Sequence, residues 1–221
     1  MRVTGIDIES DELVGVDGGF LAIRRLRLRN RRDDGSQSAR YLCDFAVRPY
    51  GLDAVVVVLW RRHEGRIEVL VRDCLRPAIA VGREPDRQTI PDPRRYLQLS
   101  ELVAGILEVG DRGIEGIQAR AAEEAHEEAG YRVEPARVTI LGAASFPSPG
   151  SLPEKFHFTA VEIAEDAVAE PPAGDGSPME EGAASRWLEL DAAIAACVRG
   201  ELEDLKTELG LRRFADWLRD A

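Results

Sequence analysis

Apolar and polar positions along the chain change period several times. From Phe20 to Leu28 the pattern is two-residue alternation, with Leu26 and Leu28 set between Arg25, Arg27 and Arg29, which predicts a half-buried strand. Asn30 to Ser38 contains Asp34-Gly35 and reads as a turn. Tyr41, Cys43 and Phe45 then alternate again, so residues 12–48 predict a β unit that ends near Gly51. Ala54 to Leu59 is an unbroken β-branched run, the pattern of a central strand buried on both faces. A turn over Arg61–Gly65 leads to a second strand, Ile67–Val71. Val81 to Arg95 carries Pro85, Pro91 and Pro93 and predicts a surface insertion. Val138–Leu141, Lys155–Ile163 and Ser185–Leu190 are further expected strands. The turn-rich stretch 146–153 separates the first two. Ala169–Gly182, AEPPAGDGSPMEEG, predicts a mobile loop. Beyond Asp191, Leu202, Leu205, Leu209, Phe214, Trp217 and Leu218 form a helical apolar stripe that is expected to break around Gly210.

One helix carries the candidate chemistry. Ile117 to Ala129 is free of proline and glycine and rich in helix formers, and Gly130 stands where a helix would end. Glu124, Glu127 and Glu128 lie at i, i+3 and i+4, so their carboxylates share a face close to the negative end of the helix dipole. Such a face is either solvated or neutralised by a cation. An all-oxygen donor set suits Mg²⁺ or Mn²⁺ better than zinc.

Composition narrows the classes. With 221 residues the chain is long enough for one domain with elaborations or for one domain and a smaller one. A net charge of −11 argues against nucleic acid and against anionic membranes as partners. It leaves an anionic small molecule open, because a bound divalent cation reverses the local sign. The three cysteines, Cys43, Cys74 and Cys197, are far apart and odd in number, which suggests a reducing, cytoplasmic setting. The first residues do not resemble a signal peptide, and the longest apolar run, Ala54–Trp60, is too short for a membrane helix.

Ala104-Gly105, Gly110-Asp111 and the segment Glu124-Ala-His-Glu-Glu-Ala-Gly-Tyr131 resemble the Nudix box, whose pattern is Gly, five residues, Glu, seven residues, Arg-Glu-apolar-X-Glu-Glu-X-Gly-apolar. The match departs from the pattern in three ways. Asp111 stands for the first glutamate, four extra residues separate it from Glu124, and Glu123 occupies the arginine position. Arg120, one helical turn before Glu124, is a candidate for the missing cation. A second register keeps the spacing through Glu115 but places Val109 at the box glycine, and the two registers stay open. Outside the box, Val71-Arg-Asp-Cys-Leu-Arg-Pro77, Glu101-Leu-Val-Ala-Gly105, Ser148-Pro-Gly-Ser-Leu-Pro-Glu154 and Gly200-Glu-Leu-Glu-Asp-Leu-Lys-Thr207 are similar to segments of the ADP-ribose pyrophosphatase branch, in the same order.

The resemblance implies an α/β fold, a Nudix-type α/β/α sandwich around a mixed sheet. Residues 1–50 would be an N-terminal antiparallel β unit that dimerises the chain, and residues 51–221 the hydrolase domain. It implies metal-dependent hydrolysis of the diphosphate of an ADP-ribose-like nucleotide sugar. Glu124 and Glu128 would bind Mg²⁺ or Mn²⁺ with the Ala104 carbonyl, and Glu127 a second cation or water. Arg76 would contact a phosphate, against the plainer reading of a surface pair with Asp73 or Glu68. Glu101 would contact the nucleoside portion, against that of a strand-end charge. The general base would be Glu154, Glu180 or Glu181, each of which is otherwise an exposed loop acid. Two other readings are a non-catalytic nucleotide-sugar binding module and a hydrolase of UDP- or GDP-sugars or dinucleoside polyphosphates.

Overall fold

The computed structural model describes residues 2–14, 20–48, 51–172, 174 and 182–220. In chain order the elements are β1 (Val3–Val14), β2 (Ala22–Arg32), β3 (Tyr41–Val47), β4 (Ala54–His63), β5 (Arg66–Leu75), α1 (Pro77–Gly82), β6 (Gln98–Glu101), β7 (Val103–Ile106), α2 (Gly113–Ala129), β8 (Thr139–Ile140), β9 (Phe156–Glu162), β10 (Ser185–Glu189), α3 (Leu190–Arg199) and α4 (Leu205–Asp220). They form two compact units, residues 1–53 with 146–155, and residues 54–145 with 156–221.

The first unit is an antiparallel sheet of β1, β2 and β3. Its β structure begins at Val3, nine residues before the expected start. The register places Ile8 opposite Leu28 and Leu28 opposite Tyr41, with Leu26 opposite Cys43. Directly opposed residues of an antiparallel pair share a face, so these side chains make one apolar face, and the alternating arginines fall on the other. There Arg25 pairs with Asp44 at 2.5 Å and Arg29 with Glu9 at 2.8 Å. Leu26 and Leu28 are buried, whereas Ile6, Ile8 and Leu13 are 53%, 59% and 72% exposed. Residues 146–155 join this unit through Ala46 N, which donates to the Ser151 carbonyl, and Lys155 N, which donates to the Asp53 carboxylate.

The second unit is built on a seven-stranded mixed sheet in the order β10-β5-β4-β9-β8, with β6 paired to β5 and β7 to β4. β4 and β9 run parallel; the other pairs are antiparallel. The run Ala54–Leu59 is buried on both faces as expected, and its alternation divides the core. Val55, Val57 and Leu59 pack with Ala121, Ala122, Ala125 and Ala129 of α2. Val56, Val58 and Trp60 pack with Ala193, Ala196, Leu211 and Phe214 of α3 and α4. The sheet is therefore sandwiched between α2 on one face and α3 with α4 on the other.

Two expectations need correction. α2 begins at Gly113, not Ile117, and takes in Gly116, where a β-carbon would fall 2.5 Å from the Asp111 carbonyl carbon. The segment Val81–Arg95 lies at the surface as expected, and the short helix Pro77–Gly82 that leads into it has no buried residue. The C-terminal stripe does not break at Gly210. The helical region is instead divided before the stripe, at Gly200, whose left-handed conformation (φ 73°) ends α3. Gly210 lies buried within α4, where a β-carbon would fall 2.7 Å from Leu102 Cδ1. A glycine weak in helix propensity is kept there by close packing.

Gly210→Val is expected to destabilise the protein by about 1–3 kcal/mol through overpacking, measured by urea denaturation. Wild-type stability in this variant would disprove the packing account.

Candidate active site

The site is assembled where β6, β7 and α2 meet. Glu101 ends β6, Ala104 and Gly105 lie on β7, and the acid trio occupies the last turns of α2. Gly130 closes α2 in the left-handed conformation (φ 76°), with its amide donating to the His126 carbonyl. His126 itself lies on the outer side of the helix, 3.0 Å from Glu170.

Glu124 is buried, and its carboxylate lies directly over Gly105. A β-carbon at position 105 would fall 1.6 Å from Glu124 Oε1, so only glycine leaves room for the acid. Among the described residues no hydrogen bond or ion pair reaches this carboxylate. Burial, reinforced by the charges of Glu128 and Glu127 and only partly countered by Arg120, pushes its pKa up to about 8.

Glu128 is held differently. Arg72 Nη1 lies 2.5 Å from one of its oxygens and the Ala104 amide donates to the other at 3.1 Å. Arg72 is a buried cation that the sequence patterns did not single out. Its partner lies 56 residues away, beyond the reach of any local spacing. Glu127 is partly exposed.

Arg120 does not pair with Glu124. It holds Asp111 at 2.9 Å, Glu123 at 3.0 Å and Glu108 at 3.3 Å, and Asp111 also accepts from the Glu108 amide. The loop 107–112 is thereby clamped to the helix. Of the two box registers, the one through Asp111 is the one whose acid is tied to an arginine of α2 and whose glycine lies beneath Glu124.

Arg76 and Glu101 form a bidentate pair at 2.6 and 2.7 Å. Neither Asp73 nor Glu68 takes Arg76. Asp73 accepts from Ser100 and Arg186, and Glu68 from Arg61. Glu101 is 2% exposed and also pairs with Lys206, which lies 3.0 Å from Asp204. Burial alone would raise the Glu101 pKa, but the two cations more than offset it and hold it below its ordinary value. Cys74, beside these charges, has its thiol pushed by burial up to about 11, which favours the protonated form.

Glu154 belongs to the first unit, where its carboxylate pairs with Arg48. Glu180 and Glu181 lie outside the described residues. Among the described residues no three acidic, histidine or cysteine side chains converge as a ready cage for a metal ion. The donor set nevertheless fits a hard divalent cation. Glu124 is a buried carboxylate with no hydrogen bond among the described residues, and Glu127 and Glu128 lie on the same helix, so a cation would relieve the uncompensated acid and find further oxygen donors beside it.

No family model matches the sequence, and no curated protein matches it either. Among solved structures, the chain is similar to a protein described as an ADP compounds hydrolase, with a TM-score of 0.67 and 18% identity over 100% of this chain and 97% of that one. It is also similar to a C. elegans Ap4A hydrolase (TM-score 0.49, 16% identity, 77% of this chain and 99% of that one). A third is the NUDIX domain of Shewanella oneidensis NrtR complexed with ADP ribose (0.45, 14%, 76% and 88%). At such identities the first likeness is one of fold. That fold is the Nudix-type α/β arrangement with an N-terminal antiparallel sheet, as the sequence resemblance implied.

The raised pKa of Glu124 has a defined pH signature. Between its ordinary value of 4.5 and about 8 the folded, metal-free chain keeps a proton that the unfolded chain has lost. Stability therefore falls as pH rises through that window. Thermal unfolding in chelator should show this decline, and Glu124→Gln should flatten it. An unchanged slope in the variant would show that Glu124 is not its source.

Proposed function

We propose that the protein is a divalent-cation-dependent diphosphatase that hydrolyses an ADP-ribose-like nucleoside diphosphate sugar to a nucleoside monophosphate and a sugar phosphate. The observation that carries this reading is Glu124, a buried carboxylate seated over Gly105 beside Glu127 and Glu128, with no hydrogen bond or ion pair among the described residues. The fold shared with an ADP compounds hydrolase supports it. Glu124, Glu128 and the Ala104 carbonyl would hold Mg²⁺ or Mn²⁺, with Glu127 at a second cation or a water. A cation so bound would neutralise the diphosphate oxygens and acidify a bound water.

The residues of the chain do the positioning. Arg76 uses two of its five N–H groups on Glu101 and makes no other side-chain hydrogen bond among the described residues. Its side chain is 39% exposed, so the remaining donors are available to a phosphate. Glu101 stands behind Arg76 and aims it. Glu154, Glu180 and Glu181 remain the proposed sources of the general base, which must lie within reach of the attacking water.

A second reading rests on Arg72. Its pair with Glu128 supplies internally part of the positive charge a cation would bring, as suits a module that holds nucleotide sugars without cleaving them. A hydrolysis screen over ADP-ribose, UDP-glucose, GDP-mannose and a dinucleoside polyphosphate, with Mg²⁺ or Mn²⁺ and product identification, separates the two. Nucleoside monophosphate release is expected, with Glu124→Gln and Glu128→Gln each lowering kcat at least about 100-fold while the fold is kept. Full turnover in both variants would overturn the site. Thermal stabilisation by nucleotide without any product would favour the binding module.

We also propose that the N-terminal sheet pairs two chains through the apolar face that exposes Ile6, Ile8 and Leu13. Exposed apolar area of this kind marks an interaction surface. Light scattering should give the mass of a dimer and, for an Ile8→Glu, Leu13→Glu double variant, that of a monomer. A wild-type monomer at micromolar concentration would exclude the pairing. The three cysteines are all free, which suits the proposed reducing, cytoplasmic setting. Among the described residues no helix is long and apolar enough to cross a membrane.

A further inference from the structure

At the start of α4, Asp204 accepts from the Thr207 amide at 2.9 Å and from Thr207 Oγ1 at 2.7 Å, in the manner of a helix N-cap. Thr207 Oγ1 in turn accepts from the Leu102 amide at 2.9 Å, so α4 is tied to the residue that follows Glu101. Between these anchors lies Lys206. Its side chain is 11% exposed, and among the described residues its ammonium group pairs with Glu101 and Asp204 alone. A buried lysine that merely packed would lose its proton; here the two carboxylates outweigh burial and keep it charged.

The charges can be counted. Arg76 and Lys206 contribute two positive charges, and Glu101 and Asp204 two negative ones. Asp204 is directed at the positive end of the α4 dipole. Glu101 therefore shares its charge between two cations, and Arg76 keeps a positive field toward its exposed side. Without Lys206 the four-residue cluster would be one charge more negative. Glu101 would then cancel Arg76 just where an anion must approach.

We infer that Lys206 is a positioning residue for the substrate site, which keeps Arg76 aimed and electropositive toward a phosphate by sharing the charge of Glu101. The inference rests on the diphosphatase reading above for the identity of the anion. It assigns Lys206 no contact with substrate. The effect should therefore appear in substrate affinity and should follow charge.

The test compares the full chain with Lys206→Met, Lys206→Gln and Lys206→Arg in steady-state hydrolysis of ADP-ribose with Mg²⁺. The glutamine variant retains a donor to Glu101 in case the methionine variant fails to fold. Loss of the charge should raise KM about ten-fold, equivalent to about 1.4 kcal/mol, with kcat changed less than about three-fold. The arginine variant should restore KM to within about three-fold of wild type. Unchanged KM in the neutral variants would overturn the inference, even if their melting temperature fell. So would an arginine variant as impaired as the methionine one. If the wild-type chain binds ADP-ribose without cleaving it, the diphosphatase reading fails by itself. Calorimetric affinity should then show the same ten-fold loss and the same rescue by arginine. A wild-type chain that neither binds nor cleaves ADP-ribose overturns both.

Discussion

The structure depends on placing carboxylates out of water against the end of a sheet. A buried carboxylate is strongly unfavourable unless a counter-charge or hydrogen-bond donors meet it. The protein answers in a different way for each acid. Glu101 receives two cations, and Glu128 receives Arg72 with a backbone amide. Glu124 receives neither, and its environment favours the protonated form. That asymmetry is what the proposed cation site rests on, because a carboxylate left uncompensated beside well-paired ones is the place where an external charge would bring most relief.

The fold serves this placement. β4 is buried on both faces and serves as the axis on which α2 packs from one side and α3 with α4 from the other. β7 pairs with β4 and sets Gly105 under α2, while β6 pairs with β5 and carries Glu101 toward α4. The acids on α2 and the ion pairs at α4 thus come from opposite layers of the sandwich and converge through two short strands that are consecutive in sequence.

Much of this was legible in the residues because it is local. The β-branched run at 54–59, the i, i+3, i+4 spacing of the acids and the terminal Gly130 each follow from one segment's own periodicity. What stayed hidden was long-range. Arg72 meets Glu128 across 56 residues and Lys206 meets Glu101 across 105, and no spacing rule reaches so far. Gly210 misled for a related reason. By propensity it breaks a helix, and only the approach of Leu102, the residue between β6 and β7, shows why it sits inside one. Arg120, a candidate partner of Glu124, instead holds Asp111 and Glu123, because several acids lie within its reach and spacing alone does not choose among them. The N-terminal strand from Val3 escaped notice because its apolar positions are mostly exposed and it carries bulges that interrupt strict alternation.

The alanines of α2 have a consequence for how the site tolerates change. Ala121 and Ala125 are fully buried against the sheet, with Ala122 and Ala129 beside them. Alanine is the smallest side chain with a β-carbon, so the helix rests against the strands almost at its mechanical stop. Drift in the core can then act in one direction only: larger side chains lift the helix away from β7, and scarcely any substitution can bring it closer. Ala121 and Ala125 thus act as spacers that gauge the gap between the Glu124 carboxylate and the Gly105 backbone, although neither touches it chemically.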